Sequence, residues 1–231
     1  MPFFYMDKYY IILIIPAMII AMVAQAKVSS TFHRYSQESS RRGLTAAQVA
    51  RRILDGNGLY NVQIQHISGS LTDHYDPTTN VVRLSDSVYN SSSIASIGVA
   101  AHEVGHAIQH AQGYFPIRIR SAIIPVTNLG SKLSMPLLLL GLIFSIEPLV
   151  SIGILLFSTM TLFQLVTLPV EFNASSRALA ILESDHILED DENAKARKVL
   201  SAAAMTYVAA LITAAAQLLR MVLLFNRRED D

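Results

Sequence analysis

Residues 94–111 read IASIGVAAHEVGHAIQHA and contain the pattern His-Glu-x-x-His at positions 102–106. On a helix, residues four positions apart lie on one face, so His102 and His106 can both reach one tetrahedral zinc ion at about 2.0–2.1 Å. Glu103 then lies beside the ion without binding it, where it can take a proton from a water molecule that attacks a carbonyl group. The pattern therefore predicts a hydrolytic zinc site with Glu103 as its general base.

The residues around this motif predict the limits of its helix. Ser91–Ser93 can cap the start, and Gly113 and Pro116 favour an end soon afterwards. The residues between these signals are mainly small and aliphatic, which is compatible with a helix. We therefore expect one helix from Ile94 to about Ala111.

A third zinc ligand must come from elsewhere in the chain. The metzincin continuation needs glycine and histidine at positions that hold Gln109 and Gln112, which excludes that class. His110 lies about 12 Å along the helix axis from His102 and cannot share the ion. Glu171, directly after an apolar stretch, is the better candidate, although a glutamate at the end of a membrane helix is more often a solvated cap.

Composition excludes several other classes of protein. Of the 231 residues, 52% are hydrophobic and 16% are charged, which indicates that a membrane covers part of the apolar surface. The formal net charge is zero and no basic tract is interleaved with aromatic residues, so no nucleic-acid partner is expected. Cysteine is absent, so a metal site must be built from His, Asp and Glu.

Apolar and polar stretches divide the chain into five predicted parts. The uncharged stretch 9–26 is close to the ~20 residues that cross a bilayer as a helix, and no basic region precedes it as in a signal peptide. The parts are an N-terminal transmembrane helix (1–26), a soluble zinc-peptidase part with the HExxH helix (27–120), a transmembrane helical hairpin that turns at Glu147 and Pro148 (121–170), a third-ligand helix with a polar linker (171–199), and a C-terminal transmembrane or membrane-associated helix (200–231).

The soluble part has the pattern of a small α+β domain. Alternating and turn-forming residues predict strands and a hairpin beside the helices. The fold class is therefore a mainly α membrane protein with a small α+β zincin-like catalytic domain. Its predicted elements, besides the HExxH helix, are a helix capped by Thr45 that runs through Leu54, a strand at 62–66, and a hairpin of residues 71–75 and 81–84 that turns at Asp76 and Pro77.

The distribution of basic residues predicts the orientation in the cell membrane. Segments 27–120 and 171–199 hold nine and four Lys or Arg, against one before the first apolar helix and three from Arg220 onward. Because Lys and Arg are enriched in cytoplasmic segments, we expect both polar segments, and the site with them, on the cytoplasmic side of a multi-pass protein. Arg227 and Arg228 argue mildly the other way, and a last helix lying on the surface would make the C-terminus cytoplasmic as well.

Four longer motifs resemble one known family. They are GVAAHEVGHAIQH (98–110), LTDHYDP (71–77), LFQLVTLPVEFNAS (162–175) and RKVLSAAAMTYVAAL (197–211). Together they resemble the YugP-like bacterial membrane proteins, a family of neutral zinc metallopeptidases, over nearly the whole chain. The resemblance implies a gluzincin-like catalytic core, as in the HtpX membrane peptidases, with Zn²⁺ as cofactor and Glu171 as its third ligand.

The resemblance also identifies residues around the ion. Related peptidases usually carry E-x-x-x-D, whose aspartate supports a ligating histidine, and Ser175 stands in that place here. Ser175 and Asn173 are therefore the candidates to support His102. The resemblance further suggests a strand edge onto which an extended substrate is added, namely Val81, Val82, Arg83 and Leu84, and the possible contacts to substrate or transition state are His74, Tyr75, Arg177 and Tyr207. An equally good interpretation is that residues 73–76 form only a hydrogen-bonded turn.

Two hypotheses about function follow. Glu171 lies just after Pro169 at the end of an apolar stretch, so the ion is expected within about two helical turns of the membrane surface, and the substrates are expected to be membrane proteins or segments near the bilayer. A membrane-interior protease is disfavoured because the HExxH helix is amphipathic. The alternative is a non-catalytic membrane scaffold pinned by zinc, although structural zinc usually has four protein ligands and only three are credible here.

Overall fold

The computed structural model describes residues 7–229, and its architecture is mainly helical with one small sheet. The fold class predicted from the sequence is confirmed to that extent. The elements in chain order are α1 (Ile15–Ser36, preceded by a π-helical stretch Tyr10–Ile14), α2 (Ala46–Gly56), β1 (Gln63–Ile67), β2 (His74–Asp76), β3 (Val81–Ser85), α3 (Ile94–Ala111), α4 (Phe115–Ile143), α5 (Glu147–Ser184) and α6 (Asp190–Glu229).

Four of these helices are long and apolar enough to cross a membrane. They are α1 with its π-helical start, α4, α5 and α6. Residues 144–146 separate α4 from α5, next to the turn predicted at Glu147 and Pro148. Pro148 is the second residue of α5, where its missing N–H costs no intrahelical hydrogen bond.

The last two helices extend further than the sequence pattern predicted. Glu171 lies inside α5, which continues past Pro169 to Ser184, and residues 190–199 belong to α6 instead of forming a linker. The acidic side chains Asp190, Asp191 and Glu192 occupy the first turn of α6, where negative charge complements the helix dipole. The polar residues that follow are good helix formers, so the helix runs on into the apolar stretch without a break.

The chain divides into two compact units. The helical unit contains the described residues 7–25, 119–168 and 206–229, and the mixed unit contains residues 26–118 and 169–205. In the helical unit, glycines allow close helix contact: a Cβ atom on Gly153 would lie 2.7 Å from the Leu138 side chain. Small residues at such contacts are typical of helices that pack in membranes.

The mixed unit has its own apolar core, formed by α2, α3, the sheet and parts of the longer helices. Thr45 caps α2 through a capping box with Gln48, as the sequence predicted for its start. Val49 and Ile53 of α2 are fully buried in this core, which they share with Ile97 of α3. Helix α3 has the limits predicted from the sequence, Ile94 to Ala111.

The sheet corrects one prediction. Its strand order is β1-β3-β2, with β1 parallel and β2 antiparallel to β3. Strand β3, which contains Val81, Val82, Arg83 and Leu84, is therefore central, and the prediction that it forms the substrate edge is wrong. The reason is that β1 pairs with the other side of β3, where each residue of β1 lies opposite the residue 18 positions later, as Gln63 does with Val81. The edge strands are β1 and β2.

Candidate metal centre

Helix α3 carries three of the predicted site residues in a largely buried position. Its start is capped by Ser93, whose hydroxyl accepts a hydrogen bond from the Ser96 amide at 3.2 Å. The side chains of His102 and His106 are only 14% and 11% exposed to solvent, and Glu103 as a whole residue is 9% exposed. Polar groups buried to this degree need partners, and the surrounding elements supply them.

Gly105 allows α3 and α5 to approach closely. A Cβ atom at this position would lie 2.8 Å from the carbonyl oxygen of Ala174 on α5, a distance that no ordinary side-chain contact tolerates. This close approach brings Glu171 of α5 opposite the histidines of α3. The glycine inside the HExxH motif is thus required by the packing of the two helices that form the site.

Three potential ligand atoms converge at this point. The Nε2 atoms of His102 and His106 lie 3.3 and 3.5 Å from Oε2 of Glu171, and all the ligand atoms of this cluster lie within 4.8 Å of one another. Tetrahedral zinc with bonds of about 2.0–2.1 Å separates its ligands by roughly 3.3–3.4 Å, which is close to both distances. The spacing therefore suits a small divalent ion.

The Glu171 carboxylate provides an independent test of this fit. Glu171 is only 2% exposed, and its Oε2 atom has no hydrogen-bond partner among the described residues. A buried carboxylate oxygen without a partner is costly unless a cation balances it. Two imidazoles and one carboxylate are also the donors of many catalytic zinc sites, so these residues fit a zinc ion.

His106 is held through a network that leads to α5. Its Nδ1 atom lies 3.0 Å from Oε1 of Gln109. The amide nitrogen of Gln109 donates to the Val170 carbonyl oxygen at 2.8 Å and to Oδ1 of Asn173 at 2.9 Å. Because this nitrogen has two acceptors, the amide oxygen must face His106. Nδ1 of His106 is therefore the donor, which leaves a lone pair on Nε2 for the metal.

Arg177 continues this network on α5. Its Nε atom donates to Oδ1 of Asn173 at 2.7 Å, and its terminal nitrogen donates to Oε1 of Gln112 at 2.6 Å. The guanidinium also lies 5.8 Å from the centre of the Tyr114 ring. Arg177 was named from the sequence as a possible substrate contact, and the structure shows that it connects α5 with the segment directly after α3.

His102 has a simpler support. Its Nδ1 atom lies 3.1 Å from the Ser175 hydroxyl, which occupies the place of the aspartate in E-x-x-x-D. Of the two candidates named for this role, Ser175 contacts His102, whereas Asn173 contacts Gln109 instead. A hydroxyl can donate or accept, so it does not by itself determine which nitrogen of His102 carries the proton.

Electrostatics in the cluster favour a positive charge. Burial alone would lower the pKa of His106, but the nearby carboxylates of Glu171 and Glu103, together with the Gln109 oxygen, outweigh it and raise that pKa. A bound cation would satisfy the same carboxylates. The site is thus arranged to hold positive charge between α3 and α5.

Glu103 is not one of the three converging ligands, and its carboxylate contacts the sheet. Its Oε2 atom accepts a hydrogen bond of 3.0 Å from the Tyr75 amide of β2. Strand β2 is an edge strand, so this contact connects the candidate base with the edge of the sheet. The Tyr75 hydroxyl donates to Asn80, and its ring packs against His110 at 5.5 Å between centres.

The remaining predicted contact residues lie in different places. His74 is exposed on β2 with Nδ1 2.9 Å from the Thr72 carbonyl oxygen, and Tyr207 falls in the helical unit, outside the unit that contains the cluster. Residues 74–76 form strand β2, so the alternative that residues 73–76 form only a hydrogen-bonded turn is wrong. The turn follows the strand, and Asp76 accepts hydrogen bonds from the amides of Thr78 and Thr79 at its start.

Comparison with known proteins adds to this geometry. Residues 10–226 match the sequence model of a family described as "Putative neutral zinc metallopeptidase". The chain belongs to this family. A relative described as "Putative membrane protease YugP", from Bacillus subtilis (strain 168), is 48% identical over 222 residues, which cover 96% of this chain and 99% of the relative. No solved structure gives a significant match.

Membership of this zinc metallopeptidase family confirms the resemblance seen in the sequence motifs. Sequence reasoning nevertheless missed Gln109, which it used only to exclude the metzincin class. A signal was present, because Gln109 lies three residues after His106 and therefore on the same face of the helix. Its acceptors on α5 are 61 and 64 residues away, and that contact is visible only in the structure.

Proposed function

We propose that this protein is a membrane-anchored zinc-dependent endopeptidase that cleaves peptide bonds of membrane or membrane-proximal proteins. His102, His106 and Glu171 hold the ion, and Glu103 is the general base. One observation carries the proposal: a buried carboxylate oxygen of Glu171, which has no hydrogen-bond partner within residues 7–229, faces the Nε2 atoms of both histidines. Family membership supports the same chemistry.

The chain's own groups account for the proton transfers of hydrolysis. Zinc, when bound, polarises a carbonyl group and lowers the pKa of water. Glu103 takes a proton from the attacking water while the water oxygen bonds to the carbonyl carbon. Glu103 then passes that proton to the amide nitrogen as the carbon–nitrogen bond breaks. The Tyr75 amide, 3.0 Å from Oε2 of Glu103, holds the carboxylate beside the ligands in the meantime.

The edge strand next to Glu103 is the proposed docking place for the substrate backbone. The Tyr75 amide points to Glu103 and therefore away from β3, so the outer side of β2 faces the catalytic glutamate. An extended peptide can add to such an edge through main-chain hydrogen bonds, although the Tyr75 amide is already engaged by Glu103 and is not available for that pairing. Strand β2 thus replaces β3 as the proposed substrate edge, and its backbone brings a peptide bond next to Glu103.

One feature supports catalysis instead of a scaffold role. Two others support substrates in or near the membrane. Among the described residues the cluster contains three ligands, whereas a structural zinc site usually has four. Four helices can span a membrane, and the relative is described as a membrane protease. Glu171 lies just beyond the apolar part of α5, and the basic residues of segments 27–120 and 171–199 favour a cytoplasmic site.

The decisive experiment compares purified wild-type protein with Glu103→Gln. Both are reconstituted in vesicles with unfolded membrane-protein and soluble substrates, and both zinc content and hydrolysis are measured. Because a general base contributes roughly 10²–10⁴-fold, we expect the variant to lose hydrolysis by that factor while it keeps its zinc. Glu183→Gln, an exposed glutamate on α5, is the matched control and should behave as wild type.

Two results would contradict the proposal. If zinc-loaded wild-type protein hydrolyses none of the substrates and Glu103→Gln is indistinguishable from it, the scaffold hypothesis is favoured. If soluble and membrane substrates are cleaved with equal kcat/KM in vesicles, the enzyme assignment stands but the preference for membrane-proximal substrates does not.

A further inference from the structure

A basic groove lies in the mixed unit, away from the metal cluster. It has a volume of about 620 Å³ and is formed by the last part of α1 and the first part of α6. Its charged lining consists of Lys27 and Arg34 from α1 and Arg197 and Lys198 from α6. Two basic residues from each helix thus face one space.

These four positive charges are not neutralised within the described part of the chain. None of the four has an ion-pair partner there, and no acidic residue lines the groove. The acidic residues nearby are engaged elsewhere: Asp191 pairs with Arg41 and Lys195, and Glu38 pairs with Lys195. The four exposed basic side chains are therefore available to an external anion.

The rest of the lining suits a phosphate group with an attached apolar part. Thr31 and Ser201 add hydroxyl groups, one from each helix, that can donate hydrogen bonds to phosphate oxygens. Tyr35, Ala202 and Met205 supply an apolar wall, and Met205 is 46% exposed. A small inorganic anion would leave the exposed Met205 uncovered, whereas a lipid would cover it.

The position of the groove along both helices favours a lipid as the source of the phosphate. Lys27 directly follows the apolar stretch 9–26 of α1, and the apolar part of α6 begins at Leu200, two residues after Lys198. On each helix the basic residues therefore lie where an apolar segment ends, which is the level at which anionic headgroups attract Lys and Arg. We propose that this groove binds the phosphate-bearing headgroup of an anionic phospholipid.

Binding can be measured on the full chain without any assay of hydrolysis. The purified protein is placed in micelles that contain phosphatidylcholine alone, phosphatidylcholine with phosphatidylglycerol, or phosphatidylcholine with inorganic phosphate. The thermal unfolding midpoint and the phosphatidylglycerol retained after gel filtration are then measured. We expect phosphatidylglycerol to raise the midpoint and to be retained, and inorganic phosphate to do neither.

Charge variants test whether phosphatidylglycerol binds in this groove. Arg34→Gln with Arg197→Gln should reduce the affinity for phosphatidylglycerol by roughly 5-fold or more per residue, because each basic residue near an anionic surface contributes about that factor. The charge-preserving pair Arg34→Lys with Arg197→Lys should retain most of the binding and shows that the groove still folds. Arg42 and Arg52 are two exposed arginines of the same unit outside the groove. Arg42→Gln with Arg52→Gln removes the same charge and should change the affinity for phosphatidylglycerol only slightly.

Three results would overturn the proposal. The groove is not a lipid site if phosphatidylglycerol has no effect on wild-type protein. It is a free-phosphate site if inorganic phosphate gives the same shift as phosphatidylglycerol. The attraction is a general effect of net charge if the Arg42 and Arg52 pair loses as much affinity as the Arg34 and Arg197 pair.

Discussion

The surroundings of His106 and of His102 are built differently, although both imidazoles face the same Glu171 carboxylate. On the His106 side, the amide of Gln109 is held by two acceptors on α5 and presents its oxygen to the ring. On the His102 side, a single Ser175 hydroxyl contacts the ring. The two sides of one candidate metal site therefore differ in how firmly the protein orients the ligand.

This difference has a physical meaning for metal binding. An anchored amide oxygen accepts only, so it selects the tautomer of His106 before the ion arrives. A hydroxyl rotates and can play either role, so the ion itself must complete the orientation of His102. We expect His106 to be the preorganised ligand and His102 the adaptable one.

Removing the carboxylate that both sides share should have the largest effect. Glu171→Gln keeps the shape of the side chain but removes the charge that balances the cation. The zinc affinity is expected to fall by more than the roughly 100-fold that loss of an outer partner causes. Zinc retained against a series of competing chelators measures this, and Glu183→Gln is the control. Unchanged zinc affinity in Glu171→Gln would exclude Glu171 as a ligand.

Disturbing the contact between α3 and α5, on which both histidines depend, should have the next largest effect. Gly105→Ala would place a Cβ atom 2.8 Å from the Ala174 carbonyl oxygen, and such overpacking typically lowers the free energy of unfolding by about 1–3 kcal/mol. Gly98→Ala in the same helix is the matched control, because its Cβ atom would meet Ala196 at an ordinary 3.5 Å. Thermal unfolding of both variants compares them, and equal midpoints would show that α3 and α5 are not closely packed at Gly105.

The His106 side can be tested alone with Gln109→Leu. Loss of an outer partner of a ligating histidine typically costs about 10–100-fold in metal affinity, and we expect a value in that range. The exposed Gln112 lies three residues further on, and its side chain accepts a hydrogen bond from Arg177. Gln112→Leu should therefore lower the zinc affinity much less. Chelator competition measures both, and equal losses would show that the amide of Gln109 does not orient His106.

The His102 side should give the smallest effect. Ser175→Ala removes one hydroxyl contact, and we expect the zinc affinity to fall by about 10-fold or less, at the lower end of the range for outer partners. Ser176→Ala, an exposed neighbour on α5, is the control and should match wild type. The proposed asymmetry would be refuted if Ser175→Ala weakened zinc binding more than Gln109→Leu.

Local patterns were sufficient for much of the fold and for the outline of the site. The caps Ser93 and Thr45 lie where the sequence predicted them, because capping depends on residues only three positions apart. The pairing of strands could not be predicted in the same way. The hairpin of β2 and β3 is local, but the parallel partner β1 joins from a more distant segment, and this made β3 central and β2 the edge beside Glu103.

The sequence by itself determined the HExxH helix, the apolar helices and the family, because these depend on residue types at short, regular spacings. Only the tertiary structure decided that Glu171 faces both histidines, that Gln109 holds His106 from α5, and that basic residues of α1 and α6 share one groove. Each of these arrangements joins residues that are distant in the chain. Their contacts depend on how the helices pack, and no local spacing encodes that packing.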